Sequence, residues 1–126
     1  MFMLTLNIWL HMTANPSLET LRQELENIIN QNLLTALFQP IASTTDRDIY
    51  AYEGLIRGPS SRFLHSPIHL FPAAEKLGCL HALDFSCRKA VIQAFVKEEL
   101  AGRLFLNVIP SCLAEQDFKP GAPSRY

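Results

Sequence analysis

Two places in this 126-residue sequence carry side chains whose types and spacing could do chemistry. The first is Tyr52-Glu53-Gly54-Leu55-Ile56-Arg57-Gly58. In an extended strand successive side chains alternate, so Glu53, Leu55 and Arg57 share one face and Tyr52, Gly54 and Ile56 the other. A carboxylate and a guanidinium on one face, near a strand's end, can serve a site that holds a metal and a phosphate. Oxygen ligands suit Mg²⁺ or Mn²⁺, and the planar fork of arginine suits a phosphodiester. A salt bridge near a barrel rim would use the same two residues, and spacing alone favours it. Gly54 marks either a close approach by another backbone or ligand, or a tolerated weakness in the strand.

The second place is Asn107. The run Leu104-Phe105-Leu106-Asn107-Val108-Ile109 sets one amide inside an otherwise apolar segment. In a buried parallel strand the backbone groups are taken by neighbouring strands. The amide must then find another polar group, a water or a cation. A structural hydrogen bond and a site residue both meet that need.

The elements that must position these residues follow from hydrophobic period. Asn15-Pro16 resembles an N-cap followed by proline at the first helical position. Leu18, Leu21, Leu25, Ile28 and Ile29 then recur at helical spacing to about residue 31, with Glu19, Arg22, Glu24 and Glu26 on the wet face. Leu37-Phe38-Gln39-Pro40-Ile41 is short and β-compatible, Ser43 to Asp48 is a polar turn, and Ile49 to Ile56 is a second strand. So short a link favours an antiparallel hairpin, because a parallel pair needs a longer crossover.

Gly58-Pro59-Ser60-Ser61 ends that strand. A helix is expected after Ser66-Pro67, carrying Leu70, Phe71, Ala74 and Leu77 and stopped by Gly78. A longer one is expected from about His81 to Leu100, with Leu83, Cys87, Ala90, Val91, Ala94 and Phe95 inward. Gly102 closes it. Arg103 to Ile109 then reads as a strand buried on both faces, and Ser111 can cap one more short helix. A strand, crossover helices and another buried strand form the grammar of an α/β barrel or open sheet.

Bulk properties exclude several classes. Hydrophobic residues make up 48% and charged residues 18%, enough for a core and unlike a disordered tail. A net charge of −1 gives no reason to expect DNA, RNA or an anionic membrane as a partner. Cys79, Cys87 and Cys112 are odd in number and lie in apolar segments without a Cys-x-x-Cys, which reads as buried free thiols in a reducing cytoplasm. The apolar run Met1 to Leu10 is too short for a membrane span, which needs roughly 20 residues. Residues 1–14 therefore read as an apolar extension or an early-called start with Met12 as the true one. His11, His65, His69 and His81 match no catalytic pattern, and surface or cap positions are their default.

In order and spacing, several stretches together resemble the opening half of EAL domains, the metal-dependent phosphodiesterases that open cyclic di-GMP. They are Phe38-Gln39-Pro40-Ile41, Tyr52-Glu53-Gly54-Leu55-Ile56-Arg57, Ser66-Pro67 with Leu70-Phe71-Pro72, Ala74-Glu75-Lys76-Leu77-Gly78, Leu83-Asp84, and Leu104-Phe105-Leu106-Asn107-Val108. The likeness runs from about Leu33 to Gly121, with Gly54 where that family usually has alanine. Residues 122–126 lose the pattern.

The resemblance implies an α/β fold: a partial TIM-like (β/α) barrel with an antiparallel first strand, truncated after about three strands. It implies Mg²⁺ or Mn²⁺ as cofactor, with Glu53 and Asn107 as metal ligands. Gln39, Leu55 and Arg57 would line the cyclic di-GMP site, while Glu75 and Asp84 would be supporting residues. In the family two cations activate a water that opens one phosphodiester to give pGpG. Its later acidic pair and catalytic lysine fall beyond Tyr126, and a whole barrel needs about 250 residues. The chain alone is therefore expected to be inactive. Three readings follow: a fragment of an enzyme, a binding protein pairing through its open sheet edge with itself or another EAL-domain protein, or a product that folds poorly.

Overall fold

The computed structural model describes residues 15–114. The expected extension over residues 1–14 and the tail over residues 122–126 lie outside the described residues.

The first helix, α1 (Leu18–Asn30), turns the periodic leucines and isoleucines inward, burying Leu25 and Ile28. Its cap is Ser17, whose hydroxyl accepts from the amide of Thr20 at 3.1 Å. This corrects the Asn15-Pro16 cap. Both serine and asparagine can cap a helix, and here the hydroxyl two residues closer to the apolar stripe does so.

Strands β1 (Thr35–Ala42) and β2 (Ile49–Arg57) pair antiparallel, as the short link requires. The turn between them is closed by Ser43 N–H to Asp48 O at 2.8 Å, with the Ser43 hydroxyl donating to the Asp46 carboxylate. Arg47 takes a positive φ of 60° there. The register shifts at Ile41/Ala42: Ile41 faces Ala51 and Ala42 faces Ile49, leaving Tyr50 as an extra residue in a bulge.

A 3₁₀ turn over Phe63–His65 precedes α2 (Pro67–Lys76), which has proline in its first turn where no N–H is needed. Its end follows the expected pattern. Gly78 sits at φ 71°, Cys79 N–H reaches Ala74 O at 2.9 Å, and Gly78 N–H reaches Glu75 O at 3.1 Å, so the last carbonyls are satisfied. The long helix α3 (Leu80–Lys97) buries Leu83, Asp84, Cys87 and Val91. Strand β3 (Arg103–Leu106) pairs parallel with β2, giving the order β1-β2-β3, and a short helix α4 (Pro110–Ala114) follows.

The result is an α/β fold with a mixed, open three-strand sheet whose first strand is antiparallel. The core lies on one side of that sheet, between Ile56 and the inward faces of α1, α2 and α3, with Leu64 of the 3₁₀ turn. Phe95 of α3 stands edge-on to both Phe38 and Tyr52, at 5.7 and 6.1 Å between ring centres. The helices therefore cover the Phe38/Tyr52/Gly54/Ile56 face.

Strand β3 departs from expectation. It ends at Leu106 rather than Ile109, and it is not buried on both faces: Phe105 is 46% exposed. The cause is its position at the sheet edge, with β2 on one side and no described strand on the other. No helix among the described residues is long and apolar enough to cross a membrane.

Candidate functional site

Alternation along β2 holds as read. Gly54 and Ile56 are buried against the helices, while Glu53, Leu55 and Arg57 are half-buried on the opposite side or at the strand's end. The ladder fixes their neighbours. Gln39 of β1 faces Glu53, which in turn faces Phe105 of β3, so one row crosses all three strands. Leu37 faces Leu55 in the next row, and Thr35 faces Arg57 at the end of β2.

Asn107 lies just beyond β3 and is exposed, not enclosed in a strand as its apolar neighbours implied. Its partner is Glu53: Nδ2 donates to Oε1 at 3.0 Å. Two residues picked out separately in the sequence thus meet across the β2–β3 pair. Turning the amide about its last bond would present Oδ1 in place of Nδ2, and both side chains would then offer oxygen to one point.

The salt-bridge reading of Glu53 with Arg57 is not what the structure contains. Arg57 turns back, and its Nη1 donates to the carbonyl of Ile56 at 2.8 Å. Same-face residues two apart on a strand lie about 7 Å apart, and the strand end lets the guanidinium find a closer acceptor. Gln39 is exposed beside Glu53, and Leu55 is half-buried. The structure therefore brings Gln39, Glu53, Leu55 and Asn107 to one open face and leaves Arg57 at its rim.

On the helix side of β2 and β3 lies a cavity of about 590 Å³, lined among others by Arg57, Phe71, Glu75, Asp84, Arg88 and Asn107. Gln39 and Glu53 are not part of it. Among the described residues no group of three or more His, Cys, Asp or Glu stands close enough to hold a metal ion. The two oxygens of Glu53 and Asn107 fit one side of an oxygen-ligated site, but Mg²⁺ is six-coordinate, and two donors do not hold it alone.

Three residues named in the sequence as an inward helix position (Val91), a surface or cap histidine (His65) and a supporting carboxylate (Asp84) make contacts around this site that sequence reasoning did not foresee. Val91 is the reason β2 carries glycine at 54, since a Cβ there would stand 2.3 Å from Val91 Cγ1. His65 clasps the loop after β2: its Nδ1 donates to Gly58 O at 2.8 Å while Gly58 N–H reaches His65 O at 2.9 Å. Asp84 is 2% exposed, with Arg88 Nε 3.0 Å from its Oδ2. A carboxylate within the Leu83/Cys87/Val91 stripe, with arginine four residues on, was the available signal for Asp84. The other two leave none.

None of the three cysteines forms a disulfide, and only Cys87 is buried; Cys79 and Cys112 are half-buried. Burial, with the charge of Asp84 behind it, pushes the Cys87 thiol up to about 12.

The fold and the paired residues define a small α/β unit with a polar pair on its open sheet face. No family model matches the chain. No curated protein matches it. Among solved structures, it is similar to Vibrio cholerae LapD S helix-GGDEF-EAL bound to c-di-GMP. That match has a TM-score of 0.61 and 20% identity, covering 75% of this chain and 23% of that one. The apo form gives a TM-score of 0.61 and 19% identity, covering 80% of this chain and 27% of that one. This likeness concerns the fold, and the chain spans about a quarter of the length of those structures.

Proposed function

We propose that residues 15–121 are the amino-terminal half of an EAL-type domain from cyclic di-GMP signalling. In this reading Glu53 and Asn107 are two ligands of a Mg²⁺ or Mn²⁺ site, and Gln39, Leu55 and Arg57 line the cyclic di-GMP site. The observation that carries the proposal is the Asn107–Glu53 hydrogen bond, which joins two motifs 54 positions apart. The likeness to a solved S helix-GGDEF-EAL protein supports the same reading. So does the antiparallel first strand of an otherwise barrel-like order. We place the chain in the cytoplasm, where its thiols stay reduced.

The donor set is part of a two-metal centre and not the whole of one, so no hydrolytic step is assigned to this chain. When bound, a divalent cation supplies polarisation of water and phosphodiester. The chain's own residues offer two oxygens, a guanidinium at the rim and an apolar floor. The test is titration of the purified chain with Mn²⁺ and cyclic di-GMP, followed by NMR and by chromatography of the nucleotide. Weak Mn²⁺ broadening centred on Asn107 and lost in Glu53→Gln, without pGpG formation, is the expected result. No broadening at millimolar Mn²⁺ overturns the ligand assignment. Turnover that Glu53→Ala abolishes overturns the assignment of an incomplete site.

One observation favours a second reading, a non-catalytic interaction protein. Leu37 and Phe105 on the open face are each 46% exposed, and β3 has no described neighbour on its outer edge. In that case the open side would pair with a second copy or with another EAL-domain protein. Sedimentation of the pure chain separates the two: a stable dimer supports pairing with itself, and a monomer at high concentration removes it.

A further inference from the structure

Asp84 is the one charged side chain among the buried residues of the described core, at 2% exposure. A carboxylate is almost never so enclosed unless paired, because removal from water penalises its charge. It has partners from two separate elements. Arg88, one turn along α3, brings Nε within 3.0 Å of Oδ2, although the N–H is not aligned as a hydrogen bond. On the other side Oδ1 accepts the backbone N–H of Ile109 at 3.3 Å.

That second contact falls in an informative place. Strand β3 stops at Leu106, so the amides after it have left the ladder and need acceptors from elsewhere. Asp84 supplies one to Ile109, two residues past Asn107. Ile109 O in turn accepts Cys112 N–H at 2.9 Å, opening α4. The segment from Asn107 to Ile109 is therefore held at its far end from the helix layer, while Asn107 itself reaches to Glu53 on the open side.

We infer that Asp84 is a positioning residue. By fixing Ile109 from α3 it sets the path of the segment after β3, so that the Asn107 amide meets the Glu53 carboxylate. Its functional meaning rests on the reading of Glu53 and Asn107 as site residues. Arg88 Nε stands 3.0 Å from the Asp84 carboxylate on the helix side and contributes no contact to the open face.

The experiment is NMR of the full 126-residue chain, labelled with ¹⁵N and ¹³C, with no metal or nucleotide added. Two signals are followed: the nuclear Overhauser contact between the Asn107 amide and the Glu53 side chain, and hydrogen exchange of the Ile109 amide. In Asp84→Ala the contact disappears and Ile109 exchange rises by about tenfold or more. Asp84→Leu keeps the site filled and apolar while removing the acceptor, so it gives the same release where the alanine variant fails to fold. Asp84→Asn keeps an oxygen for Ile109 and retains the Asn107–Glu53 contact. Leu83→Ala, destabilised in the same turn, leaves both signals in place. If Asn107 does not meet Glu53 in the natural chain, the site reading fails and the positioning role falls with it. If the contact is present and survives Asp84→Leu, or is lost equally in Leu83→Ala, only the positioning role falls.

Discussion

Asn107 donates its side-chain amide to Glu53 at 3.0 Å across the parallel pair β2–β3. Exposed hydrogen bonds to a charged acceptor are modest, so this one acts more as a locator than as a brace. A double-mutant cycle of Glu53→Ala and Asn107→Ala is expected to give a coupling of about 0.5–1 kcal/mol in urea unfolding. A coupling of zero would mean that the two side chains do not meet in solution.

Gly54 and Val91 give a sharper expectation. A Cβ at position 54 would stand 2.3 Å from Val91 Cγ1, and valine has little rotamer freedom on a helix with which to withdraw. Gly54→Ala is expected to destabilise the chain by about 1–3 kcal/mol. Val91→Ala in the same chain should recover part of that loss. The check is the melting midpoint of the two single variants and the pair, and equal midpoints for Gly54→Ala with and without the second change would contradict it.

The clasp between Gly58 and His65 ties the loop that leaves Arg57. Because the acceptor is a carbonyl, the imidazole nitrogen facing it must carry the proton. His65→Ala is expected to cost about 1 kcal/mol and to speed limited proteolysis between Pro59 and Arg62. Gly58→Ala should be worse, since a Cβ there would fall 2.2 Å from the Leu64 carbonyl oxygen, which is backbone and has little freedom to yield.

Cys87 makes stability depend on alkaline pH. Its thiol is raised from 9.0 to about 12 by burial first and by Asp84 second, so the folded chain favours the neutral form. A group raised in the folded state contributes fully below its unfolded value. That contribution is constant through neutral pH, begins to fall above about 9.0 and continues to fall towards about 12. Cys87→Ala should show a shallower fall over that window than the natural chain. Thiol reagents at pH 8 should modify Cys87 only after unfolding.

The open face predicts behaviour in solution. Leu37 and Phe105 expose apolar surface on the side of the sheet that no described helix covers. Leu37→Lys combined with Phe105→Lys is expected to lower self-association in sedimentation without lowering the melting midpoint by more than about 0.5 kcal/mol equivalent. Unchanged association would place the contact elsewhere.

Much of this arrangement was legible because it follows from period and punctuation. The short link gave the hairpin, alternation gave the Glu53 face, and Gly78 gave the end of α2. The length of β3 was not legible, because Val108 and Ile109 are as apolar as the residues before them; only the limits of pairing with β2 show where the ladder ends. The same gap misplaced Asn107, which looked enclosed by its neighbours in sequence while its surroundings in space are open. The cap at Ser17 was a choice between two acceptable residues. His65 carried no local signal, since its partner is a backbone carbonyl created by the loop's own path.

The bulge at Tyr50 has a reach out of proportion to its size. Counting back from the Ala42–Ile49 pair without it, Gln39 would stand opposite Tyr52, and Glu53 would share a row and a side with Phe38. The carboxylate would then look at Val91 and Phe95 instead of at Asn107. One surplus residue, three positions before the glutamate, thus sets the phase of the whole strand. Deleting Tyr50 would close the bulge and leave Gln39 opposite Glu53, whereas flattening the bulge with Tyr50 kept would interchange the chemical and structural sides of β2.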